Sequence, residues 1–175
     1  HLHPEWSFAD PAKYPGRDVI LEQRNNVIRK FKKIQFQCVH AGNKPEDIRS
    51  TAKWFAEMPN FHIDTSARLG ELGRLPLAEV HDVYTKYQDR ILFGTDFQVY
   101  GDGIVQGAGP QKPFTDEENK KFFQIHWRFF QTRDTGFDHP TPIQGNWKIN
   151  GIGLDQTVLR KLYWENAHRI FRLEI

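Results

Sequence analysis

Three polar side chains close three apolar runs of this chain: His40 ends the run at 34–40, Asp64 the run at 61–64, and Asp96 the run at 90–96. A neutral imidazole and a carboxylate are ligands for a divalent transition metal, and either can take a proton from a water molecule. The runs recur about every 25–30 residues, the length of a strand, a loop and a helix, which predicts βα units with parallel strands. In such a sheet or barrel the three side chains converge on the carboxyl edge, where α/β proteins keep their chemistry. Each residue also has a plainer reading: a strand-end His as a hydrogen-bonded structural group, an Asp as a cap or turn former. Asp64, followed by Thr65 and Ser66, suits holding its own loop at least as well as catalysis.

The other histidines point elsewhere. His62 lies inside a short strand and packs there. His81 and His126 fall on helices, exposed or in a second layer, and His168 falls in the last helix against the barrel wall. His1-Leu2-His3 has the spacing of metal ligands, but no strand precedes it to hold it. Gly101, Gly103, Gly107 and Gly109 do not form a dinucleotide fingerprint, which needs a strand just before and a helix just after.

The elements that must position these groups follow from periodicity. Residues 1–16 read as a loop, pinned by Trp6, Phe8 and Tyr14. A helix is expected over 18–33, with Val19, Ile20, Val27, Ile28 and Phe31 on one side. Then come a strand over 34–40, a helix over 45–58 with Pro45 in its first turn, a strand over 61–64, a loop over 65–74 and a helix over 77–87. Ile91, Leu92 and Phe93 run without alternation, the pattern of a strand buried on both faces. Residues 17–96 are thus βα units. Residues 97–153 form a long insertion, a Gly/Pro-rich surface excursion or a lid around Trp147. It carries one helix over 116–132, with Thr115 as N-cap and Phe122, Phe123, Trp127 and Phe130 as its apolar face. Residues 154–175 hold a closing helix, with Val158, Leu159, Leu162, Ala167 and Ile170 turned inward.

Composition narrows the classes. At 175 residues the chain makes one domain with a real core, and a formal charge of +2 gives no electrostatic footprint for nucleic acid. Cys38 is the single cysteine, so no intrachain disulfide forms; this leans towards a reducing, cytoplasmic compartment. No run is long enough to span a membrane and no leader is visible. A chain that opens on His1 rather than Met reads as processed or cut from something longer.

Four stretches taken in order resemble the amidohydrolase-2 family. They are Val39-His40-Ala41-Gly42-Asn43; Asp64-Thr65-Ser66-Ala67-Arg68 with Glu71-Leu72-Gly73-Arg74; Arg90-Ile91-Leu92-Phe93-Gly94-Thr95-Asp96; and Tyr163-Trp164-Glu165-Asn166-Ala167-His168-Arg169-Ile170-Phe171. His3-Pro4-Glu5-Trp6-Ser7-Phe8 also resembles the segment this family carries after its fifth strand. The family comprises metal-dependent hydrolases and decarboxylases with a (β/α)8 TIM-barrel fold. The resemblance implies that the strands ending at His40, Asp64 and Asp96 are strands 6, 7 and 8, and that the last helix closes the barrel. It implies a divalent metal, zinc first, with Asp96 as metal ligand and proton carrier. His40 then lies beside the metal-bound water to orient or deprotonate it, or binds a second metal. Arg68 and Arg74, in the loop after strand 7, could pair with a substrate carboxylate or form salt bridges within their loop.

The departure from the family is large. Its strand-1 His-x-His pair and its strand-5 His have no match, because His1-Leu2-His3 sits after strand 5. The expectation is therefore a C-terminal barrel portion whose partner is the missing N-terminal barrel half, with a small-molecule substrate and a homodimer as one arrangement open to it. Two function classes remain: a metal-dependent hydrolase, or related non-oxidative decarboxylase, acting on a small organic acid, ester, amide or lactone; and a non-catalytic half-barrel binding module. On this reading the isolated chain is inactive, since two ligands do not fill a zinc site.

Overall fold

The structure is a computed structural model and describes residues 10–101, 103–107, 112–142 and 145–173. The segment with His1, His3, Trp6 and Phe8 lies outside the described residues, as does Gly109. Strands β1 (Phe36–Cys38), β2 (Phe61–Asp64) and β3 (Ile91–Leu92) form one parallel sheet in the order β1-β2-β3. Cys38, Ile63 and Ile91 stand level across the ladder. β2 is central, and all four of its residues are buried. A mixed α/β fold with a parallel sheet, as expected, therefore holds the site.

Helix α1 (Arg17–Lys30) leads into β1, but its orientation corrects the expectation. Leu21, Asn25 and Ile28 are its buried stripe, while Val19, Ile20, Val27 and Phe31 are exposed. Arg24 explains the rotation. Its guanidinium lies 4.6 Å over the Trp54 ring, donates to the Gly42 carbonyl and holds the side-chain oxygen of Asn25. Asn60 then ties the α1–β1 connection, donating to the carbonyls of Ile28, Phe31 and Ile34 at 3.0–3.2 Å.

After β1 the chain makes the one-turn element α2 (Val39–Gly42), described below. Helix α3 (Ile48–Glu57) starts three residues later than the Pro45 reading would place it, after the N-cap Asp47, whose carboxylate accepts from Ser50 N. Trp54 and Phe55 of α3 meet Phe61 edge-on at 5.9 and 5.4 Å, fastening the helix to β2. The loop after β2 contains the single turn α4 (Leu69–Leu72), and α5 (Leu77–Lys86) returns to β3.

The stretch expected to be a strand up to Asp96 is a ladder of two residues only. The main chain then leaves the sheet: Phe93 N donates to Leu162 O at 2.9 Å and Gly94 N to the Thr65 hydroxyl at 3.0 Å. Residues 97–153 are also more ordered than a bare excursion. They contain an antiparallel hairpin, β4 (Gln98–Tyr100) with β5 (Gly103–Val105), then helix α6 (Asp116–Gln131), then a second antiparallel pair, β6 (Phe137–Asp138) with β7 (Lys148–Ile149). Thr115 caps α6 as expected, in a reciprocal box with Glu118. The face of α6 differs: Phe122, His126, Phe129 and Phe130 are buried and Trp127 is exposed. Phe129, Phe130, Ile149 and Ile152 join the same core cluster as Phe61, Ile63 and Ile91, so the segment packs into the body of the protein.

The closing helix is two α-helical pieces, α7 (Gln156–Arg160) and α8 (Asn166–Phe171), joined by a wider π turn at Lys161–Glu165. Such a turn releases a carbonyl from the helical ladder, and Leu162 O takes the Phe93 amide. Buried Asn166 donates to Gln88 O and Ile91 O at 2.6 and 2.8 Å, satisfying carbonyls at the far edge of β3. Val158, Leu159 and Leu162 point inward; His168 is exposed, tilted against Trp164, rather than tied to a wall. Among the described residues no helix is long and apolar enough to cross a membrane.

Candidate active site

The carboxyl edge of the sheet is organised by the Asp64 carboxylate. Its Oδ1 accepts from His40 N at 2.9 Å and from Ser66 N at 3.0 Å, and its Oδ2 from Gln37 Nε2 at 3.4 Å. One buried acceptor thus fixes the loops that follow β1 and β2, the loop-holding role its neighbours Thr65 and Ser66 suggested.

His40 does not end the strand. It lies in a left-handed turn, with φ of 56° at His40, 52° at Ala41, 70° at Gly42 and 60° at Asn43. Non-glycine residues enter this region at a cost of about 1–2 kcal/mol each. The grip of Asp64 on the His40 amide offsets that cost. The ring is fixed from a second direction: Nδ1 lies 2.9 Å from the Ser66 carbonyl. A carbonyl only accepts, so Nδ1 carries the proton and, in the neutral ring, the lone pair is on Nε2. This is how a metal-binding or basic histidine is prepared, its second nitrogen held by the surrounding protein.

Asp96 is half-buried and also left-handed, with φ of 58°. Among the described residues its carboxylate makes no hydrogen bond or ion pair. Its backbone is held instead: Gly107 N reaches the carbonyls of both Thr95 and Asp96 at 3.1 Å, closing the base of the β4–β5 hairpin onto Asp96. The Thr65 hydroxyl bridges to the same strand end, donating to Gly94 O and accepting from Gly94 N, each at 3.0 Å. Gly94 permits this approach, because a Cβ there would collide with Ser66 Oγ and press on Asp64 Cβ at 3.3 Å. His40, Asp64 and Ser66 are therefore joined directly, and the Asp96 strand end is joined to them through Thr65 and Gly94.

The two arginines are committed within the protein. Arg68 Nη1 pairs with Glu71 Oε1 at 3.2 Å, and the Arg74 guanidinium lies 4.6 Å over the Trp147 ring. Thiol chemistry is not offered here: burial pushes the Cys38 thiol up to about 11, so it stays protonated. The sequence named Thr65 and Ser66 only as holders of the Asp64 loop; the Ser66 carbonyl's hold on the His40 ring and the Thr65 hydroxyl's bridge to Gly94 were not foreseen. Gly94, standing between an apolar run and Thr-Asp, was the one local signal of close packing.

The carboxyl side of a parallel α/β sheet thus carries an oriented imidazole and a carboxylate without a partner among the described residues, side chains of the types that acid–base and metal-assisted chemistry use. A family model described as Amidohydrolase matches residues 9–173, and the chain belongs to this amidohydrolase-2 family. That places it in a superfamily of metal-dependent hydrolases and decarboxylases, whose members generally use divalent metals. No curated protein and no solved structure matched the sequence. Among the described residues no three His, Cys, Asp or Glu side chains are gathered to hold a metal ion. An imidazole Nε2 and a carboxylate are each, taken singly, donors of the type a divalent metal accepts.

Proposed function

We propose that the chain forms strands 6 to 8 of a (β/α)8 barrel and supplies the C-terminal share of a hydrolytic site. Residues 17–96 are its βα units, 97–153 an insertion after the last strand and 154–175 the closing helix. The observation that carries the reading is the double fixation of His40, by Asp64 on its amide and Ser66 on Nδ1, together with an Asp96 carboxylate that has no partner among the described residues, on the strand end that Thr65 holds through Gly94. A divalent metal, zinc first, would take His40 Nε2 and Asp96 among its ligands. When bound it supplies a polarised substrate carbonyl and a more acidic water. Asp96 accepts the proton of the attacking water and returns it to the leaving group; His40 Nε2, wherever its lone pair is not spent on a metal, accepts from that water and holds it in line. Arg68 or Arg74 meets a substrate carboxylate after leaving Glu71 or while stacked on Trp147. The substrate is a small organic acid, ester, amide or lactone.

Labelled water separates this from the sister decarboxylation. Hydrolysis in water enriched in oxygen-18 places one labelled oxygen in the product acid; release of carbon dioxide without label in the organic product would overturn the hydrolase reading in favour of a decarboxylase. The shared nature of the site has its own test. Calorimetric titration of this 175-residue chain with zinc is expected to give a dissociation constant weaker than about 10 μM, since two ligands leave the shell incomplete. Tight one-to-one binding would show that the chain holds a whole site.

A further inference from the structure

A cavity of about 670 Å³ opens between α6 and the β6–β7 pair; neither His40 nor Asp96 lines it, and Arg74 touches it only from behind the Trp147 ring. Phe114, Phe122 and Ile125 wall one side, and His139, Pro140 and Trp147 the other. Apolar walls tend to collapse on each other, and here the structure prevents it. Trp147 donates from Nε1 to Gly70 O at 2.9 Å, is covered by Arg74 and stacks on the His139 ring at 4.6 Å with 23° between planes. His139 is fixed in turn: Nε2 donates to Gly145 O at 2.8 Å and Nδ1 accepts from Thr141 N at 3.3 Å. The Trp147 wall is therefore pre-formed, the condition under which a pocket binds without first ordering itself.

The rim sets the charge of the occupant. Asp138 is taken by Lys148 at 2.7 Å. Glu118 is taken by the α6 cap, its Oε2 accepting from Thr115 N at 2.7 Å and from the Thr115 hydroxyl at 3.0 Å. Lys121 also lines the cavity; among the described residues it makes no close ion pair, and it adds to Lys148 in holding the Asp138 carboxyl below its usual range. An aromatic-walled slot with one ammonium at its edge that no carboxylate binds closely among the described residues fits a planar ring system bearing a single acidic group.

We propose that this cavity is a binding site for a small aromatic anion, separate from the site at the sheet edge. It is not remote from that edge. Gly107, whose amide holds the Asp96 carbonyl, backs directly onto Phe122, with 3.7 Å between a built Cβ and the ring. An occupant therefore stiffens the wall that anchors the Asp96 loop.

The test reads binding, not turnover, so it stands or falls independently of the hydrolase reading. The probes are 2-naphthoate and, with the charge reversed, 1-naphthylmethylammonium, titrated by calorimetry and saturation-transfer NMR. The expected result is one-site binding of 2-naphthoate, at least about fivefold tighter than the cation. Asn146→Trp, a change at an exposed rim position that fills the slot, should weaken 2-naphthoate at least about tenfold. Lys121→Ala should remove the preference for the anion while leaving the melting temperature unchanged. No binding up to about 5 mM by natively folded protein, or binding that Asn146→Trp leaves untouched, overturns the proposal.

Discussion

Asp96→Asn in the proposed complete barrel is expected to lower kcat by about 10³-fold or more, with the fold unchanged. Asn keeps the shape of Asp and, like it, tolerates the left-handed backbone; φ at this position is 58°. The contact that holds the β4–β5 hairpin runs from Gly107 N to the main-chain oxygen of residue 96, which the substitution leaves in place. No hydrogen bond or ion pair to the carboxylate is lost among the described residues. What disappears is the negative charge and the capacity to accept a proton. Asp96→Ala is the less clean variant, since alanine pays about 1 kcal/mol or more for the left-handed conformation. The measurement is kcat alongside a thermal melt: activity within about tenfold of the parent, with metal bound, would refute the role of Asp96.

That result would test the part of the site that was most legible in the sequence. β2 was read at its observed bounds, α5 within one residue, and the Thr115 cap of α6 correctly, because each rests on local chemistry. The recurrence of apolar runs led to the three parallel strands, but of the three polar residues only Asp64 stands at a strand end; β1 stops at Cys38 and β3 at Leu92. The left-handed turn at His40 was not legible, because the carboxylate that stabilises it stands 24 positions away, at Asp64. The facing of α1 was misread for a similar reason. Bulky Val19, Ile20 and Val27 suggest an inward stripe, and only the partnership of Arg24 with Trp54 and Gly42 turns the helix otherwise. Short ladders such as β6–β7 carry too few residues to show a period. The π turn at Lys161–Glu165 is decided by Phe93, which needs the Leu162 carbonyl, and nothing within the helix announces it.

The second large effect concerns stability and comes from the residue whose burial ran most against expectation. His126 is fully buried in α6. Its Nδ1 lies 2.8 Å from Phe122 O and so donates to it, its Nε2 is buried without a hydrogen-bond partner among the described residues, and Phe122 and Phe93 pack on the ring at 4.4 and 5.7 Å. Protonation would put an unpaired cation among aromatic rings, so burial pushes the pKa down to about 4. The unfolded chain titrates near about 6.5. Between these values the unfolded state takes up a proton that the folded state refuses, and stability rises with pH across that window. The contribution is complete above about pH 6.5, falls by roughly 1.4 kcal/mol per unit as the medium is acidified, and levels off near pH 4 after a loss of about 3 kcal/mol. Urea unfolding at pH 7.5 and 4.5 reads it. The parent should lose about 2–3 kcal/mol more than His126→Leu between the two pH values. His62 and His139, whose pKa values burial also lowers, stay in both proteins and cancel in the comparison. Equal losses in parent and variant would mean that α6 opens to admit the proton. In the intact protein the consequence reaches the site, because Phe93 lies against His126 and is followed directly by Gly94, the residue on which Thr65 and Ser66 close.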